Sequence, residues 1–309
     1  MLIIIKQLAS LGQRQGRQVL AAEKIIRAYL AKNKIPYNLE KFTAYTPQGQ
    51  GRLIADQKNI SCLACSFIGG VITNKSQILT STIPSRFNLT NANINFNPYC
   101  PVISRPNFYF APALAVAKND MTAVINAQKI YGAIRVNKIS TQVNHILVGN
   151  NTNPQTIIFA HYDSIGAGAL DNASGVALTL DTIKNYPEIL VHTLFIFDPN
   201  EELAYDQPTY WGHGFRVFEA RHLALLRQAQ KIIVVDCVGN GPTIVDQNPT
   251  MLNLAFPLAN IKKMAHKTFT LYGDVPKLMA IYHSNLDTPE KLSSIHLKQA
   301  QKKLLQLII

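Results

Sequence analysis

An apolar run that ends in His-x-Asp constrains this chain more than any other stretch. Residues 157–160 are apolar, His161 and Asp163 follow, and a loop of small residues leads on to Asp171. In a β-strand, residues i and i+2 face the same way, so His161 and Asp163 can point into one pocket at the strand's end. A carboxylate there can take the second N–H of the imidazole and fix its tautomer. The stretch therefore predicts a metal site, and Asp171 is close enough in sequence to fold back onto it.

Acidic or imidazole side chains also follow three further apolar runs. They are Glu201 and Glu202 beyond 194–197, Asp236 after 232–235, and His283 after 280–282, with Asp287 close by. In an open parallel sheet, ligand sites gather at the carboxyl ends of the strands. Each residue alone has a common structural explanation, such as a cap or a solvated surface. A single pocket holding all of them would be too crowded with negative charge without a metal or a proton.

The alternation of short apolar runs with helical patterns predicts an α/β fold with a mostly parallel central sheet covered by helices. A hydrophobic content of 47% with 16% charged residues fits such a globular chain. Strands are expected at 133–139, 143–148, 156–160, 193–198 and 231–236. Helices are expected at 10–33, 120–128, 172–186, 215–229 and from Pro289 to near the C-terminus, with Thr288 as N-cap.

The motifs together resemble the di-zinc aminopeptidase family that includes bacterial leucyl aminopeptidases and aminopeptidase Y. They are His-Tyr-Asp-Ser, Gly-Ala-x-Asp-Asn-Ala-Ser-Gly, Glu-Glu, a strand-end Asp, and Tyr-His-Ser followed by Asp-Thr-Pro-Glu-Lys-Leu. The resemblance covers the early helix and nearly all of residues 130–309. It implies the fold of the zinc exopeptidases.

The same resemblance implies two zinc ions per chain and assigns their ligands. One zinc would be held by His161 and Asp236, and the other by Glu202 and His283, with Asp171 bridging the two. Imidazole and carboxylate ligands suit Zn²⁺, and no cysteine belongs to the set.

The resemblance also assigns two catalytic residues and a reaction. Glu201 would be the general base that takes a proton from a water shared by the metals, and Asp163 would orient His161. The implied function is an exopeptidase, an aminopeptidase that hydrolyses N-terminal peptide bonds of peptides with a free N-terminus. Glu201 and Glu202 are neighbours at the exit from a strand, so their side chains diverge and can serve different roles.

Three alternatives remain open. A glutaminyl cyclase has a similar fold but uses one zinc, and the presence of both His161 and Asp236 argues against it. A non-catalytic binding module on the same fold would be expected to lose ligands or the base, and none is missing. A carboxypeptidase or another amidase on the same metal centre is not separated by motif. The segment 203–214 departs from the family pattern, and its His213 is interpreted as a loop histidine rather than a site residue.

Residues 41–130 differ in composition from both flanks. Residues 41–111 are rich in Asn, Ser, Thr, Pro and Gly, which indicates short strands and turns. We therefore expect a catalytic domain at 1–40 and 131–309, and an inserted apical or protease-associated-like lid domain at 41–130. Lysine and arginine are in excess, with a net charge of +12, but they are dispersed, so no nucleic-acid partner is expected.

The sequence carries few signals of location or assembly. The apolar run at residues 2–5 is too short for a signal-peptide core, and no run approaches the ~20 apolar residues that span a bilayer. A cytoplasmic protein without a transmembrane segment is the expectation. The Cys62-x-x-Cys65 pair lacks a second pair, so buried thiols are expected there. Oligomeric state is not legible.

Overall fold

The computed structural model describes residues 1–82, 89–206 and 209–309. Its helices are α1 Leu2–Ala9, α2 Arg17–Lys32, α3 Met121–Asn126, α4 Ser174–Asn185, α5 His213–Gln228, α6 Pro249–Ala255, α7 Ile261–Met264, α8 Val275–Met279 and α9 Ser294–Ile308. Its strands are β1 Asn38–Ala55, β2 Lys58–Ile60, β3 Cys62–Ala64, β4 Gly70–Ile72, β5 Ile78–Thr80, β6 Asn93–Phe96, β7 Ala113–Val116, β8 Ile130–Gly149, β9 Thr156–His161, β10 Thr193–Asp198, β11 Lys231–Val235, β12 Ile244–Asp246 and β13 Thr268–Tyr272. Short 3₁₀ turns lie at Lys75–Gln77, Lys118–Asp120, Pro187–Val191, Ala265–Lys267 and Pro289–Lys291.

The large sheet has the order β12-β13-β11-β9-β10-β8-β1-β2, and β4 also pairs with β8. Its centre is parallel, because β10, β9, β11 and β13 run in the same direction. The antiparallel strands β8 and β1 extend one side, and β12 closes the other. The predicted α/β class with a helix-covered central sheet is confirmed, and the sheet is mixed, with parallel strands at its centre and antiparallel strands on both sides.

Helices cover both faces of this sheet, which explains why β9 and β10 are buried at every residue. On one face, α1, α2, α4 and α9 contribute apolar side chains such as Leu8, Ile26 and Leu297. On the other face, Phe215 of α5 and Phe256, which directly follows α6, pack around Phe159 of β9. A strand between two apolar layers has no solvent face, so its sequence reads as a continuous apolar run that ends where the sheet ends.

A long antiparallel ribbon joins the large sheet to the inserted region. β1 and β8 pair without a break from Asn38↔Leu147 to Ala55↔Ile130. Between them in the chain lies a second sheet with the order β3-β7-β6-β5, and its apolar core is shared with the ends of β1 and β8. Residues 83–88 of the predicted 41–130 insert lie outside the described residues.

Several predicted elements have different bounds in the structure. The predicted helix 10–33 is α2, which begins only at Arg17 because Gly16 has a left-handed φ of 56°. The two strands predicted at 133–139 and 143–148 are one strand, β8, because pairing with β1 carries it through its polar middle. Pro289 opens a 3₁₀ turn, and α9 begins at Ser294. No helix of the described residues is long and apolar enough to cross a membrane.

Aromatic side chains dock the insert against the large-sheet part of the protein. Phe67 stacks on Phe110 with ring centroids 4.7 Å apart, and it contacts the rings of Tyr205 at 5.1 Å and Tyr210 at 5.5 Å. The Tyr205 hydroxyl donates to the Phe67 carbonyl at 2.8 Å, and the Phe108 amide donates to the Tyr210 hydroxyl at 3.1 Å. The insert is therefore held by an apolar junction that also contains directed hydrogen bonds.

This junction predicts that Phe67→Ala destabilises the protein strongly. Phe67 is only 2% exposed, so its removal leaves a cavity, and the free energy of unfolding should fall by about 3–5 kcal/mol. Tyr99→Ala is the matched control in the same insert, because Tyr99 is 63% exposed and its loss should change stability by no more than about 0.5 kcal/mol. Urea denaturation measures both. Equal midpoints for the two variants would contradict the aromatic junction.

Candidate metal centre

Strand ends bring most of the predicted site residues to one edge of the sheet. His161 is the last residue of β9, Glu201 and Glu202 follow β10, and Asp236 follows β11. His283 comes from the loop after α8 rather than from a strand, so its apolar run at 280–282 is a turn. Apart from Asp236, whose side chain is 25% exposed, these residues are buried.

Asp171 lies between the two imidazoles. Its Oδ1 is 3.3 Å from His161 Nε2, and its Oδ2 is 3.4 Å from His283 Nε2. Asp236 Oδ1 also lies 3.3 Å from His161 Nε2, and Glu202 Oε2 lies 2.9 Å from His283 Nε2. Two half-sites therefore share the carboxylate of Asp171, one with His161 and Asp236 and one with His283 and Glu202.

The tautomer of His283 follows from its hydrogen bond. Its Nδ1 lies 3.0 Å from the Arg105 carbonyl, which can only accept, so Nδ1 carries the proton. Nε2 is then the basic nitrogen, and it faces Asp171 and Glu202. His161 is arranged in a parallel way, because its Nδ1 lies 3.3 Å from Asp163 Oδ1 and its Nε2 faces the pocket. Both rings thus direct Nε2 at the same region.

Asp163 holds the backbone that carries the two glutamates. Its Oδ1 accepts the Glu201 amide at 3.0 Å and its Oδ2 accepts the Glu202 amide at 2.9 Å, while Gln15 Nε2 donates to Oδ2 at 3.0 Å. Asp163 therefore contacts His161 and also fixes the loop after β10, which the sequence analysis did not foresee. Glu202 is further fixed because its Oε1 accepts the Ile165 amide at 3.2 Å.

Asp287 plays the same part for the loop that carries Asp171. Its two oxygens accept the amides of Leu170 at 2.7 Å and Asp171 at 3.0 Å. Burial raises the pKa of Asp287 to about 7, and repulsion from Asp171 adds to the rise, while these amides oppose it. The sequence analysis noted Asp287 beside His283 without a role, and its position two residues before Pro289 gave no signal of one.

The pKa values of the site groups reflect burial set against close opposite charges. Burial lowers the pKa of His283, but Glu202 and Asp171 outweigh it and raise the pKa to about 10. Burial raises the pKa of Glu202 to about 7, against the effect of His283. Burial also raises the pKa of Glu201 well above its usual value, with His161 opposing the shift. In the absence of another cation, protons bound to these groups compensate the negative charge of the carboxylates.

The donor set fits a divalent metal. His283 Nε2 is buried and makes no hydrogen bond of acceptable geometry, although two carboxylates face it. Donor atoms of His161, Asp171 and Glu202 lie within 4.8 Å of one another, as do those of Asp171, Asp236 and Cys237. Imidazole nitrogen and carboxylate oxygen suit Zn²⁺. Cys237, which the sequence analysis left out of the site, thus stands beside one half-site.

Arg14 is a further residue that sequence reasoning missed. It is fully buried, and its guanidinium donates to the carbonyls of Tyr162 at 2.8 Å, Ala167 at 2.9 Å and Gly168 at 2.9 Å. It therefore braces the loop that connects His161 to Asp171. Burial lowers the pKa of Arg14 to about 10, and the nearby carboxylates of Asp287 and Asp163 oppose that shift. An arginine before a helix gives no sequence signal of this contact.

A cavity of about 110 Å³ opens beside the two half-sites. Its floor is acidic, and its walls are mainly apolar. The wall residues include Trp211, Met251, Leu254, Val275, Leu278 and Met279. The divergent segment 203–214 contributes Tyr210 and Trp211 to the wall, while its residues 207–208 lie outside the described residues. His213 starts α5 and pairs with Asp206 at 3.0 Å.

The comparisons with known proteins agree with this geometry. Residues 142–203, which contain His161, Asp171 and both glutamates, match Peptidase family M28. No curated protein sequence matches the chain. The fold is similar to BSAP, a zinc aminopeptidase from Bacillus subtilis, with 17% identity, a TM-score of 0.69, and coverage of 99% of this chain and 93% of that one. An aminopeptidase from Aneurinibacillus sp. strain AM-1 gives 15% identity, a TM-score of 0.65, and coverage of 99% and 92%.

The fold alone does not separate the two enzyme classes that were considered. A glutaminyl cyclase from Fimbriiglobus ruber is also similar, with 10% identity, a TM-score of 0.54, and coverage of 99% of this chain and 93% of that one. The family match and the fold together confirm the resemblance to the zinc aminopeptidase family. Residues 142–203 thus match a peptidase family, and the whole chain has a fold similar to that of zinc aminopeptidases, as the resemblance implied.

The site predicts that zinc affinity increases with pH. Metal ligation must displace the proton on His283, whose pKa Glu202 and Asp171 raise to about 10, and it competes with the proton on Glu202, whose pKa is about 7. Between pH 6 and 8 the apparent affinity should rise roughly tenfold per pH unit for each proton displaced. Competition with a chelator of known proton affinity measures this slope. A flat profile across that range would show that these groups do not bind the metal.

Proposed function

We propose that this protein is a zinc-dependent aminopeptidase that removes apolar N-terminal residues from peptides. The observation that carries the proposal is the cavity beside the two half-sites, which combines small size, an acidic floor and apolar walls. A volume of about 110 Å³ suits one side chain rather than a run of residues, which favours an exopeptidase. The M28 match and the zinc aminopeptidases of similar fold support zinc and peptide hydrolysis.

Charge favours the amino end of the peptide over the carboxyl end. Five carboxylates line the cavity, and among the described lining residues there is no lysine or arginine. A carboxypeptidase must bind the negative C-terminus of its substrate, for which a cation is the usual partner. A protonated α-amino group instead finds opposite charge here. The acidic residues of the lining are Asp171, Glu201, Glu202, Asp236 and Asp274.

We assign two zinc ions to the two half-sites. His161 and Asp236 would hold one, His283 and Glu202 the other, and Asp171 would bridge them through its two oxygens. When bound, the ions supply positive charge that acidifies a water molecule and polarises the scissile carbonyl. Asp163 and Asp287 keep the ligand loops in place by accepting their backbone amides, as described above.

Glu201 is the proposed general base. It lines the cavity beside the ligand Glu202, and its backbone is held by Asp163, so its carboxylate is aimed without being one of the assigned ligands. Burial raises the pKa of Glu201, which improves its ability to accept a proton. Glu201 would take the proton from water and deliver it to the leaving amine.

A glutaminyl cyclase is the second candidate, because proteins of that class share the fold. It would need only one of the two half-sites. The complete His161 and Asp236 pair, in contact with the same Asp171 that faces His283, favours the two-metal peptidase.

The insert is proposed as a fixed support for the residues of the site rather than a free lid. Its Arg105 carbonyl fixes the tautomer of His283, and the Asn97 side chain donates to the Met279 carbonyl at 2.9 Å. Residues 45–140 carry a net charge of +7, whereas 141–309 carry −1. A basic region next to an acidic cavity would orient a short peptide with its amine toward the metals.

Separate substitutions should distinguish the base from the bridge. Glu201→Gln should keep two zinc ions per chain and lower kcat by ~10²–10⁴-fold, because only proton transfer is lost. Asp171→Ala should lose zinc, because it removes the shared ligand. Elemental analysis and kinetics on an aminoacyl-anilide measure both effects.

The wild-type protein and the two variants serve as controls for one another. The wild-type protein should bind two zinc ions, and a single tight site unchanged by added zinc would favour the cyclase. If Glu201→Gln were fully active, or lost zinc as readily as Asp171→Ala, the role of Glu201 would be assigned wrongly.

The apolar walls predict a preference for large apolar N-terminal residues. A leucyl-anilide should have a kcat/KM about 10- to 100-fold above that of the glycyl compound, because a buried leucine side chain gains about 1.5–3 kcal/mol. Leu278→Ser should reduce this ratio, since Leu278 lines the cavity. Lys277→Ser is the matched control on the same helix, with a side chain 63% exposed, and should leave the ratio unchanged. An equal effect of the two substitutions would show that the cavity does not determine the preference for apolar N-terminal residues.

A further inference from the structure

A second and larger cavity lies behind the metal centre, between the insert and the large sheet. Its volume is about 680 Å³, which is in the range of sites for small organic ligands. It shares no lining residue with the cavity beside the half-sites. Its wall comes from the segment before and at the start of α2, from β1, from β8 and from the insert. The polar lining residues are Gln13, Gln15, Arg17, Gln18, Thr46, Gln48, Ser66, Arg105 and Ser140.

The wall of this second cavity is rich in positive charge and in hydrogen-bond donors. Two arginines, four glutamines and three hydroxyls face the cavity, and none of its described lining residues is acidic. Hydrogen-bond donors are therefore abundant, while the positive charges have no carboxylate partner in the wall. The cavity beside the half-sites has a different character, with five carboxylates and no lysine or arginine among its described lining residues. The two cavities are thus suited to different ligands.

Arg105 is the central cation of this second cavity. Its Nη2 donates to Gln13 Oε1 at 2.8 Å, and its guanidinium lies over the Phe108 ring at 5.6 Å from the centroid. Its Nε is buried and has no hydrogen-bond partner. A buried, unused donor on a guanidinium is costly, and a planar fork of this kind matches an oxyanion.

The start of α2 adds to the same positive field. Gly16, Arg17 and Gln18 line the cavity, and the helix of 16 residues has no side-chain cap at Gly16. Free backbone amides at a helix N-terminus favour negative charge. Arg17 is exposed and lies at the first helical position, so it can meet a ligand from the solvent side.

We infer that this second cavity is a binding site for a small oxyanion, a phosphate- or carboxylate-bearing compound held between Arg105 and Arg17. The inference stands apart from the proposed function, because it uses neither the metals nor the cavity beside them. The cavity nevertheless borders the metal centre, since the Arg105 carbonyl holds His283 and Gln15 holds Asp163. An anion bound there would contact residues that position a metal ligand and the glutamate loop, so binding and metal affinity would be coupled in both directions.

Calorimetric titration of the full chain with inorganic phosphate and, separately, with citrate tests the inference. Saturable binding of at least one probe is expected, and the tighter probe tells whether phosphate or carboxylate is preferred. Arg105→Gln should weaken that binding about tenfold or more, because it removes a charged donor. Arg17→Gln should weaken it by a smaller factor, because solvent screens an exposed charge. Arg52→Gln removes the same charge from an exposed position of β1 outside the cavity and should have no effect.

A further variant guards against loss of folding in Arg105→Gln. Gln48→Glu places a carboxylate at an exposed position of the cavity wall, and it should repel either probe while leaving the thermal midpoint unchanged. Absence of saturable binding for both probes would overturn the inference. So would equal weakening by Arg17→Gln and Arg52→Gln, which would indicate a diffuse surface charge, or unchanged binding in Gln48→Glu. Each of these measurements can be made on metal-free protein, so their outcome is independent of peptidase activity.

Discussion

Repulsion between buried carboxylates constrains the centre of this protein. Asp163, Asp171, Glu202 and Asp287 are nearly inaccessible to solvent and lie within one small region, where the low dielectric makes like charges costly. Buried cations around the carboxylates reduce this repulsion, and they are the two imidazoles and the guanidinium of Arg14. Backbone amides that donate to Asp163 and Asp287 add further stabilisation. Such a cluster is stable only when protons or metal ions complete the charge balance, which makes metal binding and folding parts of one equilibrium.

The buried carboxylates fall into two groups that have different partners. Asp171, Glu202 and Asp236 face imidazole nitrogens and are the proposed metal ligands, whereas Asp163 and Asp287 accept backbone amides from the loops that carry Glu202 and Asp171. Asp163 and Asp287 hold these loops in fixed positions, because each carboxylate accepts hydrogen bonds from two backbone amides. Supporting hydrogen bonds of this kind determine ligand orientation and are as much a part of a metal site as the ligands themselves.

The sequence predicted the sheet strands, and the polar side chains that gather at their ends, because both depend on local patterns. A strand buried on both faces is a visible apolar run, and a polar residue at its end is conspicuous, as at His161 and Asp236. Contacts of long sequence separation left no such pattern. Arg14 reaches the loop after β9 through backbone carbonyls, and Asp287 acts through amides of Leu170 and Asp171, so neither role depends on a recognisable motif. The length of β8 was missed because its polar middle is stabilised by β1 rather than by its own composition.

The ribbon formed by β1 and β8 also bears on the order in which the chain acquires its structure. β1 has no sheet partner on its inner side until β8 has been synthesised, and the whole insert separates them. Closing that loop costs entropy before any pairing is gained, and the apolar core that the insert shares with the ends of β1 and β8 offsets this cost. Once Ala55 and Ile130 are adjacent, the remaining pairs can form in succession toward Asn38 and Leu147. The insert would thus bring β1 and β8 together in the correct register during folding.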